Sequence, residues 1–194
     1  MRYSLEHKQH NHEKILSVAA RCFRERGGDG SGIGTVLKKI GLKKGGFYRH
    51  FRSKDDLFVE AMARVLDETG RGAVEAATSA PAAQALRIII EHYLSVPHAD
   101  SPGTGCVMAT LGPELARKPI GLRRRIEPLL ERHREGLLPF MPGETREEKL
   151  AKIRLLFSSM AGVLMMVRVN PDHHEREQRL MEARDFFIKQ FAER

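Results

Sequence analysis

The stretch Gly41-Leu-Lys-Lys-Gly-Gly-Phe-Tyr-Arg-His-Phe-Arg-Ser-Lys-Asp-Asp56 decides how this chain is read. It is short, basic and aromatic, and it divides in two. Leu42 to Phe51 reads as a short helix with glycines near its start. Ser53-Lys-Asp-Asp56 is a capping box of the S-x-x-D form: the serine side chain accepts from a first-turn backbone N–H while the acid reaches back. Asp55 and Asp56 also suit the positive end of a helix dipole. A second, longer helix is therefore expected to start at Lys54.

Gly45 and Gly46 each cost on the order of 1 kcal/mol against alanine inside a helix. Near a helix N-terminus they have a use, because no side chain then stands between the backbone N–H groups and an approaching phosphate. Lys43, Lys44, Arg49, His50, Arg52 and Lys54 surround them. Phe47 and Phe51 lie four residues apart and anchor one helix face, which leaves Tyr48 and Arg49 pointing elsewhere. Apolar anchors behind and donors and cations in front are the arrangement of a DNA recognition helix.

These residues, with those before them, resemble the TetR/AcrR family of bacterial transcriptional regulators. Ile15-Leu16, Ala19-Ala20 and Phe23 followed by a glycine turn match the family's first helix. Ile40-Gly41-Leu42, Phe47-Tyr48-Arg49-His50-Phe51, Ser53-Lys54 and Leu57 match its helix-turn-helix and the helix after it. The resemblance is sharp over about residues 12–66; beyond them it is one of layout and length. Val36-Leu37 stands where the family usually has Ile-Ala, and Ile33-Gly34 where it often has Thr or Ser, so Ser31 is the candidate cap for the second helix.

The net charge is +8, and its placement says more than its size. Residues 1–54 carry 13 Lys/Arg against 4 Asp/Glu, a surplus of nine, while residues 55–194 carry 20 against 21. Concentration in one small segment is the electrostatic footprint of polyanion binding. A membrane surface is the competing polyanion, but that segment has no helix pairing Lys with bulky apolar residues. The sequence shows no uninterrupted run of about 18 apolar residues and no apolar stretch of signal-peptide type after Met1. Cys22 and Cys106 sit far apart, with Cys22 on an apolar helix face, so a thiol state and a cytoplasmic setting are expected.

Periodicity predicts an all-α chain: an N-terminal three-helix helix-turn-helix unit over residues 1–54 and a helical ligand-binding and dimerisation unit over residues 55–194. Residues 1–11 read as a polar arm, and His7, His10 and His12 as solvated rather than metal-binding; no metal site or cofactor is expected. His12–Arg26 and Ile33–Ile40 are the first two helices, and Gly41 makes the turn into the third. Lys54 to about Ala77 reads as one long helix, and Pro81 to about Val96 as the next. Pro97–Gly105 reads as loop, Cys106–Arg117 and Gly121–Leu138 as helices. Arg123-Arg124-Arg125 reads as a solvated helix face. Thr145-x-x-Glu148 caps a helix running to Val169, and His173–Ala192 is the last. From Leu155 the penultimate helix is apolar on nearly every side, which demands cover on several faces.

The resemblance implies a homodimer through the last two helices, and Phe157, Leu164, Val167, Leu180 and Phe187 are the expected interface. It implies double-stranded DNA with a near-palindromic operator as partner, more often under repression than activation, and release by a small-molecule effector; no membrane partner is expected. Matched position by position, Lys43, Lys44, Gly45, Gly46, Tyr48, Arg49, His50 and Lys54 are the expected DNA contacts, with Tyr48 and Lys54 on phosphates and Lys44 on a guanine edge. Cys106, Tyr93, Met108 and Phe157 are the candidate effector or sensor residues. Cys106 and nine histidines are the only raw material for catalysis, and no catalytic, metal or phosphate motif accompanies them, so the chain does not read as an enzyme.

Overall fold

The computed structural model describes residues 5–27 and 33–193, with the side chains of Leu5 and Lys44 left out; Ser31 and most of the Gly27–Gly30 turn thus lie outside the described residues. The described residues form helices and no strand. In order they are α1 (Leu5–Arg26), α2 (Ile33–Ile40), α3 (Lys44–Phe47), α4 (Lys54–Glu68), α5 (Arg71–Ser79), α6 (Ala82–Tyr93), α7 (Val96–Asp100), α8 (Val107–Arg117), α9 (Ile120–Glu135), α10 (Arg146–Val169) and α11 (His173–Phe187). A 3₁₀ turn at Leu138–Phe140 precedes α10, and a π turn at Ile188–Ala192 follows α11.

Two glycines close the first helices in the left-handed conformation that only glycine adopts at no cost. Gly27 (φ 79°) donates to the Phe23 carbonyl at 2.9 Å and so caps the end of α1. At Gly41 (φ 70°) the pair Gly41 N–H to Lys38 (3.3 Å) and Leu42 N–H to Leu37 (3.0 Å) is a Schellman cap, and it turns the chain into α3. The Ser53 hydroxyl accepts from the Asp56 N–H at 3.0 Å, as its capping box requires. The Asp56 carboxylate, however, turns to Arg125 at 2.7 Å on α9. Thr145 caps α10 in the same way (Glu148 N–H, 3.1 Å), and the Glu148 carboxylate takes the Glu144 N–H.

Four expectations are corrected. The arm before His12 is helical from Leu5, since nothing in Glu6–Asn11 breaks a helix. The long helix from Lys54 stops at Glu68: Gly70 (φ 75°) bends the chain, and α5 starts afresh. Part of the expected loop after Val96 is a helical turn, capped by Ser95, whose hydroxyl accepts from the His98 N–H at 3.3 Å. Finally, α3 is a single turn; Arg49, His50 and Phe51 continue it through bonds to Gly46 and Phe47 carbonyls without a regular ladder.

Buried side chains fall into two cores. The first joins Ile15, Phe23, Leu37, Phe47, Phe51 and Leu57 to residues of α8 and α9. The second gathers Ile90, Leu94, Ile153, Leu156, Met160 and Leu164. Helix α4 belongs to the first along its length, and α9 packs beside it. Helix α10 is, among the described residues, the one long and apolar enough to cross a membrane; here it packs against α7, α8, α9 and α11.

Candidate DNA interface and effector cavity

The aromatic anchors sit where the four-residue spacing places them. Phe47 is fully buried and Phe51 nearly so, their rings stacked with centroids 5.5 Å apart. Anchoring of that face turns the next residues outward: Tyr48 is 57% exposed and stands edge-on to Phe47, and Lys43 and Arg49 are exposed. Lys54, half-buried, opens α4 beside a depression that Tyr48, Lys38 and Leu42 also line. A Cβ built on Gly45 meets nothing within 4 Å, and one on Gly46 meets only Leu42 at 3.9 Å. Neither glycine has positive φ. Neither packing within the chain nor backbone strain therefore calls for them; what they leave is a bare helix surface. The side chain of Lys44 lies outside the described residues.

His50 departs from a plain surface contact. It is half-buried, its Nδ1 is buried without a partner, and burial, with His12 close by, lowers its pKa from the ordinary 6.5. His12 itself stacks on Phe51 (4.6 Å, 20°) and lies 3.0 Å from Glu60 on α4. The solvated-arm reading thus fails for His12, since the helix carrying it extends past the recognition turn. No sequence signal marks this pairing, because the partners are 39 and 48 residues away. Among the described residues no cluster of His, Cys, Asp or Glu has metal-binding geometry.

A cavity of about 320 Å³ lies between α4–α6 and α8–α10. It is at the small end of the roughly 300–1,000 Å³ usual for ligand sites. Tyr93, Cys106, Met108 and Phe157 all line it. The ring of Phe157 meets Tyr93 edge-on at 5.6 Å. Sequence reasoning missed Thr69 and Gly70, at the end of α4, and His92, His133, Arg134 and Arg154, which complete the wall. Gly70 is a readable signal in retrospect, since a glycine within a long apolar-periodic stretch marks a break. Burial lowers the His133 pKa, the first cause ahead of a bond to the Leu66 backbone that opposes it.

Cys106 is the N-cap of α8, as expected, and both cysteines are thiols. Its N–H donates to His98 Nε2 at 2.8 Å, while His98 Nδ1 lies 2.6 Å from the Tyr93 carbonyl. With Nε2 accepting, the ring is neutral and donates through Nδ1. The imidazole thus ties the end of α6 to the start of α8. A Cβ on Gly105 would lie 2.7 Å from that ring, so glycine is required there.

The expected dimer residues are placed otherwise. Leu164, Val167, Leu180 and Phe187 lie in the protomer's own second core, each at most 7% exposed, and Phe157 faces the cavity. Side chains already covered have no surface left to offer a partner. The most exposed large apolar side chains on these two helices are Leu155, Met166 and Val169 on α10 and Met181 and Phe186 on α11, from 47 to 78% exposed. A helix apolar all round has both an inner and an outer stripe, and periodicity does not say which is which.

Comparison with known proteins adds the following. The family described as bacterial regulatory proteins, tetR family, matches residues 15–61. The HTH-type transcriptional regulator AcrR of Shigella flexneri is 36% identical over 59 residues, 30% of this chain and 27% of that protein. LmrA of Bacillus subtilis, an HTH-type transcriptional regulator, is 43% identical over 51 residues, 26% of this chain and 27% of the relative. In each case the match spans less than a third of the relative. The crystal structure of a TetR transcriptional regulator from Chloroflexus aurantiacus superposes with a TM-score of 0.75 over 96% of this chain and 98% of that one, at 20% identity. The fold is thus shared along almost the whole chain, and the sequence only at its N-terminal end.

Proposed function

Since the chain belongs to the TetR family of bacterial regulatory proteins through residues 15–61, we propose that it is a sequence-specific repressor that binds a near-palindromic operator as a homodimer and leaves it when a small molecule fills the cavity. The observation that carries this reading is Tyr48, Arg49 and Lys43 exposed on a turn held from behind by buried Phe47 and Phe51. Residues 1–54 make the DNA-binding unit and residues 55–194 the effector and dimer unit, and the protein works in the cytoplasm. Dimerisation uses the outer stripe of α10 and α11, Met166 and Phe186 above all. Helix α4 relates the two ends: Thr69 beside its last turn faces the cavity, and Lys54 opens its first turn beside Tyr48.

The test is a gel-shift series over salt concentration. Tyr48→Phe and Lys54→Ala each remove one phosphate partner, so each weakens all duplexes alike, and loss of the Lys54 charge lowers the salt slope by about one. Lys44→Ala instead relaxes sequence preference. Unchanged affinity and preference in all three variants would remove the recognition-turn assignment.

A second reading is that the effector reacts rather than binds. Cys106 lines the cavity at the N-terminus of α8, and the Arg168 guanidinium lies within electrostatic reach of it. On that reading an electrophilic quinone or aldehyde strips wild-type protein from DNA and leaves Cys106→Ser bound, with Cys22 kept in both. Equal release from both proteins would assign the cavity to a reversible ligand.

A further inference from the structure

Tyr93 lines the cavity, and its hydroxyl is buried and has no hydrogen-bond partner of ordinary geometry. The residue is 93% buried by its 7% exposure. Its polar neighbour is the Cys106 thiol, a weak hydrogen-bonding group. A buried donor left unmade is costly, of the order of 1–3 kcal/mol, and asks for an explanation. A second orphan lies close by. Arg168 spends Nε on the Ala99 carbonyl (2.9 Å) and Nη2 on the His98 carbonyl (3.1 Å), while its Nη1 is buried and unpartnered. Its charge is felt by both Tyr93 and Cys106. The carboxylate nearest to compensating it, that of Asp100, is bonded to Arg176.

The rest of the cavity wall points the same way. No Asp or Glu lines it, whereas Arg134 and Arg154 do. Both arginines are already paired outside the wall, Arg134 with Glu127 and Glu131 and Arg154 with Glu131, so neither is a free counter-charge for a ligand. The remainder is mostly apolar: Val74, Ile89, Met108, Leu137 and Phe157 among others. A cationic ligand finds no carboxylate there, and a purely apolar one leaves the Tyr93 donor unmade.

We propose that the cavity takes a small amphipathic organic acid, an apolar alkyl or aryl body whose carboxylate accepts from the Tyr93 hydroxyl, with the Arg168 charge behind it. The assignment deepens the effector reading above and rests on it for its regulatory meaning only. A carboxylate supplies the acceptor that Tyr93 lacks and the negative charge that Arg168 lacks, and the body covers the apolar wall. No bond is made or broken.

Two matched series test this on the full-length protein by calorimetric titration: 2-naphthoate with 2-naphthylmethanol and 2-naphthylmethylamine, and decanoate with decanol and decylamine. The acid of at least one series binds about tenfold or more tighter than its alcohol and amine. Tyr93→Phe narrows the acid-to-amine ratio about tenfold, as expected for loss of one bond to a charged group. The same substitution leaves the empty protein as stable as wild type or more so, because it removes an unsatisfied hydroxyl, and that melting curve separates lost binding from lost folding. Amine or alcohol binding as tightly as the acid in both series, an unchanged ratio in Tyr93→Phe, or no binding by either acid overturns the proposal. Release of a duplex selected from random-sequence DNA is read in parallel. Acid binding without release keeps the site and overturns its effector role, and release by an amine or alcohol keeps the effector role and overturns the acid.

Discussion

The two cores of this molecule put their chemistry on opposite sides. Around Phe47 and Leu57 the interior is apolar filling, and the groups of interest, Lys43, Tyr48 and Arg49, stand outside it. Beside Tyr93, where the second core meets the first, the interior leaves a cavity, and the groups of interest, Tyr93 and Cys106, line it. An outward-facing site needs only a rigid support and a few consecutive residues, so a short motif builds it. An inward-facing one needs walls from six helices and depends on how each leans on the others. Both cores draw on segments distant in the chain: in the first, α4 packs on α9 and α1 on α8, and in the second, α6 packs on the π turn after α11.

The largest expected effect tests whether the first core is a mere support. Phe47→Ala removes a fully buried ring, a loss typically of about 3–5 kcal/mol, and abolishes duplex binding in gel shifts even though no cation has been touched. Phe157→Ala, on a wall already facing empty space, lowers the melting temperature far less and leaves DNA affinity of the ligand-free protein intact. Equal damage from both would erase the distinction between a filled core and a hollow one.

A smaller effect separates the two stripes of the penultimate helix. Met166→Glu with Phe186→Glu places charges on exposed positions, so the protein folds with a near-normal melting curve, sediments as a monomer and loses operator affinity at least about tenfold, since one half-site remains. Leu164→Glu buries a charge in the protomer's core and is seen first as unfolding. A dimer that survives the double substitution would move the interface elsewhere.

The smallest effect is on pH. Burial is the main cause holding His98 and His133 below the ordinary imidazole value of 6.5 in the folded chain. The unfolded chain binds the protons that these two refuse, so stability is full above about pH 6.5 and declines as the pH falls through that value toward their folded pKa values, by at most about 1.4 kcal/mol per pH unit from each. His98→Gln makes denaturant midpoints between pH 7 and 5 less pH-dependent; an unchanged slope would show that the neutral bridge between Tyr93 and Cys106 is not maintained in solution.

How much was legible followed the range of the interactions. The turn at Gly41, the caps at Ser53 and Thr145, and the buried pair Phe47 and Phe51 each depend on residues within six positions of one another, and each is legible in the sequence. His12 on Phe51 and Asp56 on Arg125 join residues 39 and 69 positions apart, and the sequence carries no mark of either. Gly70 was local and still passed over, because the apolar periodicity on either side of it continues in phase. Cys106, Tyr93, Met108 and Phe157, the candidates the sequence offers, all line the cavity, whereas its arginines look, as residue types, like surface.

By itself the sequence determined an all-helical chain, a basic N-terminal quarter and a turn that buries Phe47 and Phe51 and bares Tyr48 and Arg49, because capping, periodicity and net charge are properties of neighbours. Only the tertiary structure decided which stripe of α10 faces inward, that Tyr93 and Arg168 keep unpartnered donors, and that six helices leave a space among them. Those features are set by long-range packing, where a side chain's surroundings come from residues remote in the chain, and no local rule of spacing specifies them.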